Sequence, residues 1–511
     1  MKFKYIWILI VFLSLAACND HDYTIPDTSV DLEPGNADFS TYVSIGNSLT
    51  SGYTDAALFV AAQQNSFPNI LSQKFSLVGG GDFSQPLTSD NIGGLLLGGN
   101  VIANPRLYFD GSGPAVLPGT PTTEVSNIKP GPYNNMGVPG ARVTHLLANG
   151  YGNIAGLAQG LANPYFVRMA STANASVLED AMAMNPTFFT LWIGNNDVLG
   201  YAASGGDGSS DITDAGIFQF AYNKLVTTLT SGGAKGVILN LPDVTLIPYF
   251  TTVPFNPLDP SNPDFGPMIP LLNATFAPLN QAFAFLGVKE RSIVFSETEA
   301  SPIIIHDESI TDISAQLFMV LKGAGLDPLT ARLLAFQYGQ CRPANKEDLI
   351  TLRSATAIAT LNMDNFKKLV SMGVPQDKAG QLSINGITYP MEDKWVLLPS
   401  EQDEVKQATA TFNSIIKSEA QKAGLAFVDA NAFMEQLSTQ GLLSDGFELN
   451  SSLVKGGVFS LDGVHLTARG YALVSKYILE AIDVTYESNF KAAGEMPDIG
   501  DYPAFYPETL K

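Results

Sequence analysis

The chain has 511 residues, with 28 Lys and Arg against 49 Asp and Glu, a formal net charge of −21, 45% hydrophobic residues and only 15% charged ones. That balance is globular rather than disordered, and 46 Gly with 31 Pro argue for a loop-rich fold over a coiled coil or helical bundle. So acidic a chain, with no basic cluster, repels phosphate backbones and anionic surfaces, which argues against nucleic acid as a partner.

Residues 1–17 predict an export signal: Lys2 and Lys4 precede an apolar run from Tyr5 to Leu15, and Ala16 and Ala17 stand before Cys18. The run is well short of the roughly 20 apolar residues that cross a hydrocarbon core. Leu-Ala-Ala-Cys resembles the lipobox of bacterial lipoproteins. The resemblance implies that Cys18 becomes a lipidated first residue, so that an exported protein is held at the cell envelope, at the outer membrane, through this anchor alone, with the periplasmic and surface faces both open. The polar stretch 18–38 reads as a tether. With Cys18 lipidated, Cys341 has no cysteine partner within the chain; a packed thiol suits it better than a catalytic one, and the core is held by burial.

Apolar runs at 43–45, 188–193, 237–241 and 426–428 predict strands covered on both faces, as in a parallel sheet. Helical periodicity lies between and after them. Phe218, Tyr222, Leu225 and Leu229 share a face behind Asp214 as N-cap, a long helix is expected over 401–423, and Tyr471, Val474, Ile478 and Ile482 share a face behind Thr467. This alternation predicts an α/β layered domain over 39–250 and 396–490. The stretch 251–395 opens on a run rich in Pro, Asn and Asp and then turns amphipathic, which marks a large, mainly helical insertion. Its apolar stripe of Leu317, Phe318, Val320 and Leu321 has two readings, a cap over a lipid-like acyl chain or simply core. Residues 491–511 read as an irregular tail.

Four blocks carry chemistry. In TYVSIGNSLTSGY a strand stops at Gly46 and Ser48 follows at a strand-to-helix turn, where ligands bind in open α/β sheets; taken alone, a helix N-cap explains that serine as well. In FSLDGVHLTARGYAL, Asp462 lies three residues before His465, a spacing that lets the carboxylate fix the imidazole while the other ring nitrogen takes a proton from Ser48. Of the other histidines, His21 is in the tether, His306 sits in HDES, read as a solvated helix start, and His145 lacks an acidic neighbour in sequence, so His465 is the favoured base. NNMGVPGARV offers Gly137 and Gly140, whose backbone N–H groups face a substrate unobstructed, and LWIGNNDVLG offers Asn195 or Asn196 as a side-chain donor to an oxyanion.

Taken in this order, the four blocks resemble those of the SGNH/GDSL hydrolase superfamily. On that resemblance Ser48 matches the nucleophile, Gly140 the glycine of the second block, Asn196 the asparagine of the third, and Asp462 with His465 the DxxH of the last. It implies a flavodoxin-like three-layer α/β/α sandwich and an oxyanion hole built from the Ser48 and Gly140 backbone N–H groups and the Asn196 side chain. Outside the blocks it extends over roughly 40–250 and 396–485, and it does not cover the insertion. One position departs from the pattern: Asn47 stands where the family has an aspartate, which bears on the hydrogen bonds and charge around Ser48.

The expected activity is hydrolysis of carboxylic esters, of the lipase or carboxylesterase type, through an acyl-enzyme on Ser48, with no metal and no organic cofactor. Two alternatives stand beside it, a carbohydrate O-acetyl esterase and a non-catalytic surface lipoprotein that uses the fold as a binding module. The groups Asp207, Asp211, Asp214 and Asp259, Asn262, Asp264 lack the spacing of a calcium loop and read as solvated acidic turns.

Overall fold

A computed structural model describes residues 30–510 of the chain. The export signal of 1–17, Cys18, His21 and the first part of the tether lie outside the described residues.

Strand β1 (Tyr42–Gly46) runs into a four-residue helical turn, α1 (Ser48–Ser51), and then α2 (Phe67–Phe75). There follow β2 (Asn135–Gly137), α3 (Val177–Ala183), β3 (Phe188–Trp192), α4 (Asn196–Ala203), α5 (Ala215–Leu229) and β4 (Lys235–Leu239). After the insertion come α6 (Pro399–Ala423), β5 (Ala426–Val428), α7 (Ala430–Thr439) and α8 (Ala468–Tyr486). The five strands form one wholly parallel sheet in the order β2-β1-β3-β4-β5. Parallel neighbours need a crossover between them, and that requirement spaces the strands with helices along the chain.

Side chains alternate across a strand, so Tyr42 and Ser44 share a face of β1. On that face Phe75 of α2 stands edge-on to Tyr42 and Phe188 at 5.0 and 5.5 Å, and Tyr486 of α8 meets Phe188 at 5.8 Å. A second group of helices, α3, α5 and α6, packs together on the sheet apart from α2 and α8, with Phe218 of α5 stacked on Phe412 of α6 at 4.0 Å. The predicted cap Asp214 accepts from the N–H groups of Gly216 and Ile217, and Thr467 from that of Gly470. From β1 the chain crosses to one side of the sheet, and from β3 onward to the other. The carboxyl ends of β1 and β3 therefore border the crevice where such sheets bind ligands.

The insertion has its own hydrophobic core, which includes Phe276, Ile305, Leu317, Leu321 and Tyr338. It is mainly helical, with Ile269–Phe285, Ser314–Gly323, Pro328–Tyr338 and Met363–Ser371 as its longer helices. Arg342 holds Asp307 and Asp348 at 2.5 and 2.7 Å inside it. Cys341 is buried there as a free thiol, and burial pushes its pKa up, as suits a packed cysteine. A short antiparallel pairing of Leu349–Ile350 with Val396–Leu397 returns the chain to α6.

Several expectations need correction. Strand β2 escaped the sequence reading because it has three residues and begins with a polar Asn. Between α2 and β2 the chain makes two further hairpins, Leu95–Leu97 with Asn100–Ala103 and Leu107–Phe109 with Pro114–Val116. Residues 31–36, assigned to the tether, are stitched to the end of α8: Asn36 N–H donates to Tyr486 C=O at 2.6 Å and Asn489 Nδ2 to Asp31 C=O at 2.8 Å. The tail is irregular yet packed, because the fully buried Arg106 donates to the carbonyls of Tyr506, Pro507 and Leu510. HDES is not a helix start; His306 ends the strand Ile304–His306, and the next helix begins at Ser314. Among the described residues no helix is long and apolar enough to cross a membrane.

Candidate active site

Gly46 ends β1, and Asn47 caps the turn that carries Ser48: its Oδ1 accepts from Leu49 N–H at 3.0 Å. Its Nδ2 donates to Asn195 Oδ1 at 2.9 Å, so the first and third blocks are joined by a buried amide pair. An aspartate at 47 has no N–H to give Asn195, so this bond depends on the amide at that position. Turn α1 packs so tightly on β2 that a Cβ on Gly137 falls 2.3 Å from Ser51 N, which explains that glycine by close approach rather than by substrate contact.

The loop before α8 brings His465 to Ser48. Nε2 lies 2.9 Å from Ser48 Oγ, and Nδ1 lies 2.8 Å from Asp462 Oδ2. Asp462 accepts four further hydrogen bonds, from Ala56, Val464 and His465 N–H and from Ser460 Oγ–H, at 2.8 to 3.0 Å. Burial pushes its carboxyl up, yet the imidazole and these N–H donors outweigh burial and hold it below the ordinary carboxylate range. Asp462 is therefore an acceptor with a fixed orientation, which sets the ring so that Nε2 faces the serine. The Tyr53 ring lies 4.6 Å from the imidazole, tilted against it by 48°.

Behind this loop sits a residue that the sequence reading missed. Asp55 is 2% exposed, adopts φ +51°, donates its N–H to Ser460 Oγ at 3.1 Å and accepts from Leu461 N–H at 3.1 Å. Burial pushes its carboxyl up to about 7. With Ala56 it forms a backbone brace for the loop that carries Asp462. Leu107 N–H in turn donates to Asp55 C=O at 2.7 Å, next to the arginine that latches the tail. Nothing in local sequence spacing joins positions 55, 107 and 460.

Blocks two and three are also tied together. Asn196 Nδ2 donates to Ala141 C=O at 2.9 Å, and the next residue, the fully buried Asp197, accepts from Val143 N–H at 2.9 Å and from Thr213 Oγ–H at 2.7 Å. Burial pushes the Asp197 carboxyl up to about 6. Gly140 immediately precedes the segment these two bonds fix and adopts φ +79°, a left-handed conformation that favours glycine. The last residue of the run Gly-Asn-Asn-Asp was thus a positioning signal in plain view. Asn195 accepts from Asn47 through Oδ1, which leaves its Nδ2 group as a donor, and Asn196 keeps an amide N–H beyond the one given to Ala141, so both candidates retain an N–H and both line the cleft.

From Ser48 a cleft runs between the carboxyl ends of β3, β4 and β5 and helices α7 and α8. Ser48, His465, Asn195 and Asn196 line it, and no residue of 251–395 does. Leu317 and Leu321 are buried in the insertion's own core and Phe318 and Val320 pack against that core, so the stripe is core and not a roof over Ser48.

The remaining candidates have other work. His145 accepts from Arg142 N–H at 3.1 Å, and His306 lies 3.7 Å from Glu308. Asp207, Asp214, Asp259 and Asn262 accept backbone N–H groups of their own turns or helix. No protein-family model, curated protein or solved structure gives a match to this chain.

Proposed function

We propose that the protein is a serine hydrolase of carboxylic esters, of the SGNH/GDSL type. The observation that carries this reading is the unbroken relay Ser48 Oγ, His465 Nε2, His465 Nδ1, Asp462 Oδ2, with links of 2.9 and 2.8 Å assembled from residues more than 400 positions apart. Strand order β2-β1-β3-β4-β5 supports a flavodoxin-like sandwich, with Ser48 and Asn196 at the carboxyl ends of the two strands beside the switch point.

In the proposed reaction His465 takes the Ser48 proton as Oγ attacks the ester carbonyl carbon. Charge on the tetrahedral oxygen is met by the Ser48 and Gly140 backbone N–H groups and the free N–H of Asn196. The imidazolium, steadied by Asp462, returns the proton to the departing alkoxide. Water then attacks the acyl-enzyme with His465 again as base, and the acid leaves. The rate falls on acidification because only the neutral imidazole accepts the proton. None of these steps calls on a metal or an organic cofactor. Export and lipidation at Cys18 belong to the same proposal and rest on the sequence of 1–18.

The non-catalytic module is disfavoured because a degenerate site has no need of an aligned relay. The test is Ser48→Ala against the unaltered protein on a series of p-nitrophenyl esters. The expected loss is about 10⁴-fold or more in kcat, with unchanged thermal unfolding. Equal hydrolysis by the two proteins overturns the reading.

A further inference from the structure

We propose that the cleft beside Ser48 is an acyl-chain site and that the substrates are esters of apolar fatty acyl groups longer than acetyl, an inference that rests on the ester-hydrolase reading. The cleft changes character along its length. Its polar lining is gathered at one end, where Asn47, Ser48, Asn195, Asn196 and His465 lie together. The rest is apolar, from Trp192, Leu239 and Val428 at the sheet ends to Met434 and Val474 on the helices, and no Asp, Glu, Lys or Arg lines any part of it. The one other polar liner, Tyr477, stands edge-on to Phe433 at 5.0 Å.

A chain entering this space from the acyl carbon leaves the catalytic end at once and meets only hydrocarbon. A sugar ring placed there would shed its water and find almost no hydrogen-bond partners, so a polar alcohol lies on the solvent side of the ester. An acetyl group, with one methyl beyond the carbonyl, leaves most of this apolar lining without a partner. Because the insertion lines none of the cleft, acyl length is set by α7, through Ala430 and Met434, and by α8, through Val474 and Tyr477. Each methylene that moves from water into such a space adds roughly fourfold to kcat/KM until the walls are reached.

The full chain is assayed on p-nitrophenyl acetate, butyrate, octanoate and decanoate, with Ser48→Ala as the control. Octanoate is expected to exceed acetate by about 100-fold or more in kcat/KM. Ala430→Phe, which fills the cleft, lowers the octanoate-to-acetate ratio at least tenfold. Met434→Ala, which lengthens it, raises the decanoate-to-octanoate ratio, so the proposal stays testable if one variant fails to fold. Ser48-dependent hydrolysis that is fastest on acetate, with ratios unmoved in both variants, overturns the acyl site and leaves the ester hydrolase standing. Absence of Ser48-dependent hydrolysis on every ester overturns the hydrolase reading, and the acyl site falls with it.

Discussion

The α/β region and the insertion are built from the same kinds of side chain, yet they are organised differently. In the first, one core runs through the sheet and its helices, and every residue of the relay hangs on a strand end or on a loop tied to one. The second has a separate core of its own. They touch beside the relay: Gly463, in the loop between Asp462 and His465, lies so close to the insertion that a Cβ on it would meet Leu352 at 3.0 Å. The difference teaches that size and apolarity do not make a cap. An amphipathic stripe is spent on whichever core lies closest, and here that core is internal.

The comparison breaks most visibly if damage to the insertion's core reaches the reaction. Leu317 is fully buried, so Leu317→Ala is expected to cost about 2–5 kcal/mol of the insertion's stability through lost burial and the cavity left behind. Hydrolysis of a short ester per folded molecule should stay within about twofold, since distant sites without shared partners act nearly independently. Denaturant unfolding followed beside ester turnover checks both. A parallel fall in kcat/KM before any unfolding would mean that the insertion shapes the site through the Gly463 contact.

A smaller effect is expected from inside the α/β region, behind the proposed relay. Asp55→Ala removes the acceptor for Leu461 N–H and loosens the loop behind Asp462, and kcat should drop roughly tenfold with KM little changed. Asp55→Asn keeps an acceptor oxygen and should recover most of the rate. Burial holds the Asp55 carboxyl near 7, so it becomes charged beside Asp462 as pH rises through neutrality, and the Asn variant should flatten any rate step in that window. Loss of stability with kcat and pH profile unmoved would make Asp55 merely structural.

This brace also marks where sequence reading stops. Ser48, His465 and Asp462 were legible because their local setting is chemical: a serine just past a strand end and an acid three residues before a histidine. Four of the five strands and helices α5, α6 and α8 were legible because burial writes its period into the residues. Strand β2 is too short to carry a period. Asp55, Asn47 and Asp197 act through partners 50 to about 400 residues away, and such pairing leaves no mark in local spacing. The tail read as irregular because its anchors, the buried Ile499 and Tyr506 and the carbonyls held by Arg106, follow no helix or strand period.

The finest test lies at the seam between the two regions. Carboxylate oxygens of Glu308 and Asp393, from the insertion, and of Glu401, at the start of α6, lie within 4.8 Å of one another, and Asp393 Oδ1 is buried with no hydrogen-bond partner among the described residues. Burial, together with the neighbouring Glu308 and Asp393, pushes the Glu401 carboxyl up to about 9, against the pull of Leu398 N–H, which donates to it at 2.6 Å. Burial likewise pushes Asp393 up to about 6. A raised acid binds its proton more tightly in the folded chain, so its contribution to stability is complete below about 4.5 and is lost as pH rises through about 9. Glu401→Gln keeps an oxygen for Leu398 and never takes up charge. Its melting temperature should match that of the unaltered protein near pH 4.5 and exceed it by a few degrees at pH 9. A constant difference at both pH values would mean that the seam is held by packing alone, and that the two regions are joined by something other than a shared proton.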